Sequence, residues 1–513
     1  MFKWLPASKN HSFIVNLCAF CATLLLLVFL SLLAFVFTKG SGYFLSSPVY
    51  QVSYKDDGDK PHVVFAQFAN GYSENFSEWI TASTENSIYQ VQLPLHHRQI
   101  NNIEKRSDVA NISLLDGRKL FAVPQYIRAS NDAQISLSEL DKYLNSIDDI
   151  RDEIDEIKQN ELAEIDKILA NVDKSSPSIN PIQQSALLKY EALQKAIAEL
   201  ENKRDTFLLN MTDVKGESMD IVLANIHSIS FPSNMTFVGE IKYALKLLWA
   251  FLSENPKQSN TAGGIFPALF GTVVMVLLMT LIVAPFGVLS AVYIHEYAPN
   301  NVLIAAMRVC ISNMAAVPAI VYGVFGLGFL VYVVGGNIDA LFFSDALPAP
   351  TMGAPSIFWA SVTMALLTLP VVIVATDEGL NRVPQGLRKG SYALGATKSE
   401  TIWYTVLPIA SPSIITGIIL AIARAAGEVA PLMLLGAVRF APQLPVDSEF
   451  PFVHLDRQFM HLGVFIYDGA FSTQMNPQGA SMMFATCSLL LLVVLFLNIV
   501  AVTLRARLRE RYQ

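Results

Sequence analysis

Charge is scarce in this chain. Only 15% of its 513 residues are Asp, Glu, Lys or Arg, against about 25% in an ordinary soluble protein, and 52% are apolar. The apolar residues fall in long blocks, which excludes a single soluble domain and reads as a membrane protein. Cysteine is scarcer still. Cys18, Cys21, Cys310 and Cys487 all lie in or beside apolar segments, and the polar region between Lys39 and Asn260 has none, so no disulfide holds that region together. Cys18 and Cys21 have CxxC spacing, but no second ligand pair accompanies them and their flanks are hydrocarbon-like. They read as small lipid- or helix-facing residues, and neither a metal nor a cofactor is expected. The net charge is −7, with most of the acid between Asp56 and Glu240, whereas the C-terminus, RARLRERYQ, is basic. Such a tail marks a membrane edge before it marks nucleic acid, and no nucleic-acid partner is expected.

No charge interrupts Phe13 to Phe37, and Lys3 and Lys9 precede it. This run is too long for a typical signal segment and lacks a small-x-small cleavage site after it, so it is expected to stay as a transmembrane helix. Pro267–Ile294, Leu303–Val334, Ile357–Thr376, Ser413–Gly436 and Met482–Leu504 are further spans, since crossing takes about 20 helical residues. Pro285, Pro318 and Pro370 lie inside these segments, where bundled neighbours can re-satisfy the freed carbonyls.

Six spans put both termini on one side. The N-terminal tail, the stretch with Arg382, Arg388, Lys389 and Lys398, and the tail with Arg505, Arg507, Arg509 and Arg511 are basic. Gly335–Ser356 has no Lys or Arg, and Ala437–Ser481 has only Arg439 and Arg457. The positive-inside rule then puts residues 1–12, the loop at Gly390–Pro408 and the basic tail 505–513 in the cytoplasm, with residues 38–260 outside.

That outer region is large enough, at about 220 residues, to be a domain of its own. HVVFAQF and SIYQVQLPL predict strands. From Ile135 the pattern changes to threes and fours: Leu137, Leu140, Leu144, Ile147, Ile150, Ile154, Ile157, Ile165, Ile168 and Val172. SSPSINP at 175–181 breaks it, and a second face follows with Ile182, Leu188, Leu193, Ile197, Leu200 and Phe207. The pattern predicts an antiparallel helical hairpin at about 136–210, its acidic faces in water. Sequons at Asn75, Asn111, Asn210 and Asn234 carry little weight, because such triplets arise by chance.

Two charges stand in the fifth apolar segment. Arg424 lies near its middle and Glu428 one turn later on the same face. Each costs about 2.5–3.5 kcal/mol at a helix centre, so the pair needs a reason. One is a self-neutralising pair that helps the bundle pack. The other is an anion step in a water-accessible pathway, where the planar fork of Arg424 grips a tetrahedral oxyanion and Glu428 orients it or accepts a proton. The second is favoured, because apolar residues could replace a purely structural pair with little loss.

ARAAGEVAPLM resembles the Ala-Arg-Ala-x-Gly-Glu-Thr-Ala-Pro segment of PstA-type permeases of the phosphate ABC importer. AAVPAIVYGVFGLG (Ala315–Gly328), GGIFPALFGT (Gly263–Thr272) and YIHEYAP (Tyr293–Pro299) resemble the same family, and together they cover 263–504. GSYALGATKSETIWYTVLP, from Gly390 to Pro408, resembles the coupling loop by which such permeases dock on a separate ATPase. The resemblance implies an α-helical integral membrane protein with a type I ABC importer (MetI-like) core of six transmembrane helices. The region 38–260 would be a periplasmic α+β insertion. The residues implied are Arg424 and Glu428 for the pathway, and Lys389, Gly390, Leu394, Gly395, Ala396, Thr397, Leu407 and Pro408 for the coupling loop. The implied partners are a PstC-type permease, an ATP-binding cassette ATPase dimer, a periplasmic phosphate-binding protein and the lipid bilayer of the bacterial inner membrane. The small Gly395 is expected to let two backbones approach closely.

The chain departs from the family pattern in four places. Val429 and Ala319 stand where Thr and Ser are usual, Lys389-Gly390-Ser391 replaces Glu-Ala-Ala, and the outer insertion far exceeds the usual short loop. The chain has no G-x-x-x-x-G-K-[ST] loop, so it is expected to be a transport subunit that does not itself hydrolyse ATP. A permease for sulfate or molybdate is a rival reading. A membrane sensor is another, but it would need a cytoplasmic output domain, and the largest cytoplasmic piece expected is the loop around Gly395.

Overall fold

A computed structural model describes residues 7–45, 47–55, 61–68, 78–84, 87–129, 133–162, 165, 181–256, 263–299, 301–441, 443–447, 450, 452–472 and 477–512. The expected helix break at 175–181 lies outside them except for Pro181, as do Lys3 and Asn75. The chain divides into two compact units. Leu45–Ala244 contains one. The N-terminal helix, Leu245–Pro256 and the described residues from 263 onward form the other.

In this second unit six helices are long and apolar enough to cross a membrane: Phe13–Ser41, Phe266–Tyr297, Ala319–Phe342, Ile357–Asn381, Lys398–Gly427 and Ala480–Val500. Ile357–Asn381 is the central one, 67% buried over its most apolar stretch against 0% for Phe13–Ser41. Met275, Met279 and Val283 pack with Trp359, Met364 and Val372 and with Ala421 and Ala425 in one core. Lipid tails are as apolar as these side chains, so small residues and close backbone approach hold such helices together. A Cβ on Gly287 would lie 2.6 Å from Val372 Cγ1, and one on Gly417 would lie 2.5 Å from Ala375 Cβ. The N-terminal helix meets the last one in the same way: Gly40 faces the Phe484 carbonyl, and the Phe35 and Phe484 rings meet edge to face at 5.7 Å.

Two expected spans are corrected. Leu303–Val334 is not one helix. Val302–Met314 is separate, the chain turns at 315–318, and a new helix begins at Ala319. Pro318 is the cause: it lacks an N–H to donate and restrains Val317, and it caps the new helix in extended geometry (φ −56°, ψ 134°). Likewise Ser413–Gly436 stops at Gly427, with Glu428 extended at φ −82°, ψ 126°. Glycine at a helix end with proline shortly beyond is a stop signal.

The segment at Thr351–Gly353 is tied down by a carboxylate. Asp339 is buried, and its oxygens accept from the N–H groups of Thr351, Met352 and Gly353 at 2.7–2.9 Å.

Among the described residues, the other unit is built on an antiparallel sheet of eleven strands. Its main path runs Ser218–Val222, Leu208–Thr212, Lys119–Arg128, Ser87–Leu95, Glu78–Thr84, Pro61–Phe68, Tyr50–Lys55 and Ile100–Lys105. Strands therefore occupy both expected runs. They also occur after the helices, where no strand was expected, because Leu208–Thr212 and Ser218–Val222 are too short to show a clear alternation. Leu209 and Met211 nevertheless sit in the same core as Ile112, Leu120 and Ile127. Helices Leu140–Glu156 and Pro181–Arg204 lie between strands in sequence. Leu140 and Ile147 belong to the sheet's core, whereas Ile150, Ile154 and Ile197 form a small cluster of their own.

Candidate translocation site and coupling loop

Helix Leu407–Gly427 carries Arg424 in its last turn, not near its middle. A cation there meets the negative end of the helix dipole and the last unpaired carbonyls. Glu428 is the first residue past the helix, and its Oε1 lies 3.5 Å from Arg424 Nε. The contact is an ion pair without hydrogen-bond geometry, since Arg424 Nε is buried and has no hydrogen-bond partner among the described residues. Both side chains are only part-buried, at 33% and 28% exposure, so the guanidinium keeps donors free for a ligand.

Two motifs far apart in sequence meet here. Tyr322, in the segment Ala315–Gly328, lies within electrostatic reach of Arg424 and donates its hydroxyl to the Met314 carbonyl at 3.0 Å. Gly323 and Gly326 permit the approach: a Cβ on Gly323 would lie 2.7 Å from Pro431 Cα, and one on Gly326 would lie 2.4 Å from Thr363 Oγ1. Val429 packs against Gly463, whose Cβ would come within 2.5 Å of Val429 Cγ2.

His461, which the sequence reading did not single out, is fully buried beside Gly463. Its Nδ1 accepts from the Gly463 N–H at 3.1 Å, which places the ring proton on Nε2, where it has no partner among the described residues. Burial holds its pKa down at about 4, so the ring is neutral at physiological pH. No sequence signal separated it from any other histidine in an apolar setting.

The loop expected to couple is two short helices around an elbow. Gln385–Ala393 ends at Leu394, and Gly395 turns the chain at φ +91°. Thr397 then caps Lys398–Thr401 in a capping box with Glu400, and the helix continues through Leu407 and Pro408 into the membrane-length helix. Beyond its two chain neighbours, none of the described residues comes within 4 Å of a Cβ on Gly395, so the left-handed turn, and not crowding among them, is what requires glycine there. Leu394 at the elbow is 91% exposed and Tyr404 81%. Lys389 and Gly390 lie on the exposed side of the first helix, and Ala396 is partly covered.

Residues 283–510 match the model of the family described as binding-protein-dependent transport system inner membrane component. The phosphate transport system permease protein PstA of Yersinia pestis is 32% identical over 252 residues, covering 49% of this chain and 75% of the relative. PstA 1 of Mycobacterium tuberculosis is 36% identical over 174 residues, or 34% of this chain and 51% of that one. The probable ABC transporter permease protein YqgH of Bacillus subtilis is 32% identical over 212 residues, covering 41% of this chain and 63% of its own length. The chain thus spans less than two thirds of the length of the latter two. It belongs to the inner-membrane permease family of ABC transporters, as a multi-pass membrane protein. Within that family it is a PstA-type permease.

Proposed function

We propose that this chain is the transmembrane subunit through which an ATP-driven importer passes inorganic phosphate across the bacterial inner membrane. The observation that carries this reading is Arg424. It is a part-buried guanidinium at a helix end, paired with Glu428 and near Tyr322, whose buried Nε has no hydrogen-bond partner among the described residues. A tetrahedral oxyanion can take two parallel hydrogen bonds from such a fork. The PstA names of the Yersinia and Mycobacterium relatives favour phosphate among the oxyanions.

On this reading the elbow around Gly395 docks on an ATPase dimer, and Lys389, Gly390, Leu394, Ala396, Thr397, Leu407 and Pro408 frame that surface. A PstC-type permease lies alongside, and a periplasmic phosphate-binding protein delivers the anion. Both termini and the elbow face the cytoplasm, and residues 38–260 form a periplasmic insertion. The test is uptake of radiolabelled phosphate by the whole complex in liposomes. ATP-dependent uptake that excess sulfate and molybdate leave unchanged is expected. Uptake of sulfate or molybdate in place of phosphate would move the chain to another oxyanion, and no uptake of any would remove the pathway reading.

A further inference from the structure

The turn Tyr293–Tyr297, which ends the helix from Phe266, is tied to four other elements by successive residues. The Ile294 carbonyl accepts from Arg308 Nη2 at 2.9 Å, on helix Val302–Met314. His295 Nδ1 lies 2.8 Å from Asp377 Oδ1, on Ile357–Asn381, and Arg308 reaches the other oxygen of Asp377 at 3.3 Å. The Glu296 carboxylate takes Arg388 Nη1 at 2.5 Å, on the first helix of the elbow. The Glu296 carbonyl accepts from Lys398, on the second helix, and the Lys398 ammonium stands 4.7 Å from the centre of the Tyr297 ring.

Glu296 is thus held from both sides of Gly395 at once. Its pair with Arg388 is nearly dry, at 9% and 12% exposure, and Arg388 Nη2 also donates to the Leu380 carbonyl at 2.8 Å. A surface ion pair here could be cut at little cost, but removing one partner of a buried pair leaves the other charge uncompensated. The same turn leads toward the anion site. Arg308 sits on the helix whose Met314 carbonyl holds the Tyr322 hydroxyl, and Tyr322 lies beside Arg424.

We propose that Glu296 is a positioning residue that transmits movement of the elbow to the helices around Arg424. This rests on the reading of the elbow as the ATPase-docking surface. Contiguity alone does not demonstrate coupling, so the test measures coupling directly. The whole complex is reconstituted in liposomes with wild type, Glu296→Gln, Arg388→Gln, the exchange Glu296→Arg with Arg388→Glu, and Lys398→Met. The readouts are ATP hydrolysed, anion taken up per ATP, and a disulfide crosslink from Leu394→Cys to a cysteine on the ATPase.

Assembled Glu296→Gln and Arg388→Gln complexes are expected to keep the crosslink and hydrolyse ATP while uptake per ATP falls by about tenfold, within the usual range of coupling energies. The exchange should recover part of that loss. Uptake per ATP at the wild-type ratio in an assembled Glu296→Gln complex would overturn the proposal. Should the single variants lower complex yield, Lys398→Met decides, because it leaves the Arg388 pair intact: an unchanged ratio there also overturns it. Failure of Leu394→Cys to crosslink in the complex without any other substitution would defeat the docking reading instead, so the two failures are distinct.

Discussion

Gly323 rests directly on Pro431: a Cβ at 323 would meet Pro431 Cα at 2.7 Å, and the obstacle is backbone, not a flexible side-chain end. This contact brings the segment of Tyr322 against the one that carries Arg424 and Glu428. Gly323→Ala should therefore separate them, at a cost of about 1–3 kcal/mol for overpacking. The expected result is a lower melting temperature of the purified complex together with reduced phosphate uptake. Wild-type values for both would mean that the contact tolerates a methyl group and positions nothing.

Arg424→Ala and Arg424→Lys should both impair uptake in complexes that still assemble. Lysine keeps the charge but not the fork, and it cannot donate two parallel bonds to one oxyanion. Glu428→Gln should retain more uptake than either. A neutral amide loses the charge attraction across 3.5 Å but keeps the shape and an oxygen that can accept from the guanidinium, so only a proton-exchange role for Glu428 would make this variant as severe as those at Arg424. Normal uptake by assembled Arg424→Ala would leave only a packing role for the pair.

Gly395 is required by its backbone, and the substitution series should show it. At φ +91° an L-residue is strained by about 1–3 kcal/mol whatever its size, and asparagine tolerates left-handed geometry better than most. Gly395→Ala should lower transport per ATP hydrolysed, Gly395→Asn should lower it less, and Gly395→Trp should lower it most by adding bulk at the exposed elbow. Equal behaviour of Ala and Asn would show that the turn conformation does not matter.

The Ile150 and Ile154 spacing announced a helical seam, because a three-four period survives without knowledge of the partner surface. Arg424 and Glu428 were visible as charges in an apolar segment, but the helix end between them was missed, although Gly427 and Pro431 are ordinary stop signals. The break at Pro318 was hidden because apolar residues dominate both sides and Arg308 is the one charge between Leu303 and Val334. Glu296 and Arg388 stand 92 positions apart, each among other charges at a membrane edge, and no local pattern pairs them. His461 was indistinct for the same reason, since only the packing around Gly463 and Val429 makes it a buried donor.

That burial gives a prediction about pH. The folded-state pKa of His461 is held down at about 4, below its ordinary 6.5. Above pH 6.5 the ring is neutral in both the folded and the unfolded chain and contributes no pH dependence. Between 6.5 and 4 the unfolded chain binds a proton that the folded protein refuses, so stability falls as the pH falls through this window, and below 4 the slope vanishes. The full loss is on the order of 3 kcal/mol for a shift of this size. The melting temperature of the detergent-solubilised complex should therefore drop between pH 7 and pH 5. His461→Asn keeps an acceptor for the Gly463 N–H but cannot titrate, so this part of the drop should disappear. An unchanged pH dependence in the variant would show that water or a neighbouring group solvates the protonated ring.

The final prediction concerns the helices of the unit built on the eleven-stranded sheet. Deleting the whole hairpin would strip Leu140 and Ile147 from the sheet's core and confuse a folding defect with a functional one. Residues 159–196 are a better cut. The bridging Gly-Ser linker would start just past Lys158, whose ammonium lies 3.6 Å from Glu201, and this leaves Leu140, Tyr143, Ile147 and Phe207 in place. Ile150, Ile154 and Ile197 stay as well, and their satellite cluster loses the partly buried Leu162, while the buried Ile165 and Ala186 leave with the deleted segment; a partly exposed site of that size can collapse at modest cost. The truncated chain is expected to enter the complex at wild-type yield. If the hairpin braces the delivery protein, the affinity of that protein for the complex will fall and uptake at limiting delivery-protein concentration will fall with it. Uptake at saturating concentration will stay the same. Equal affinity and equal uptake at both concentrations would show that the distal hairpin has no part in transport.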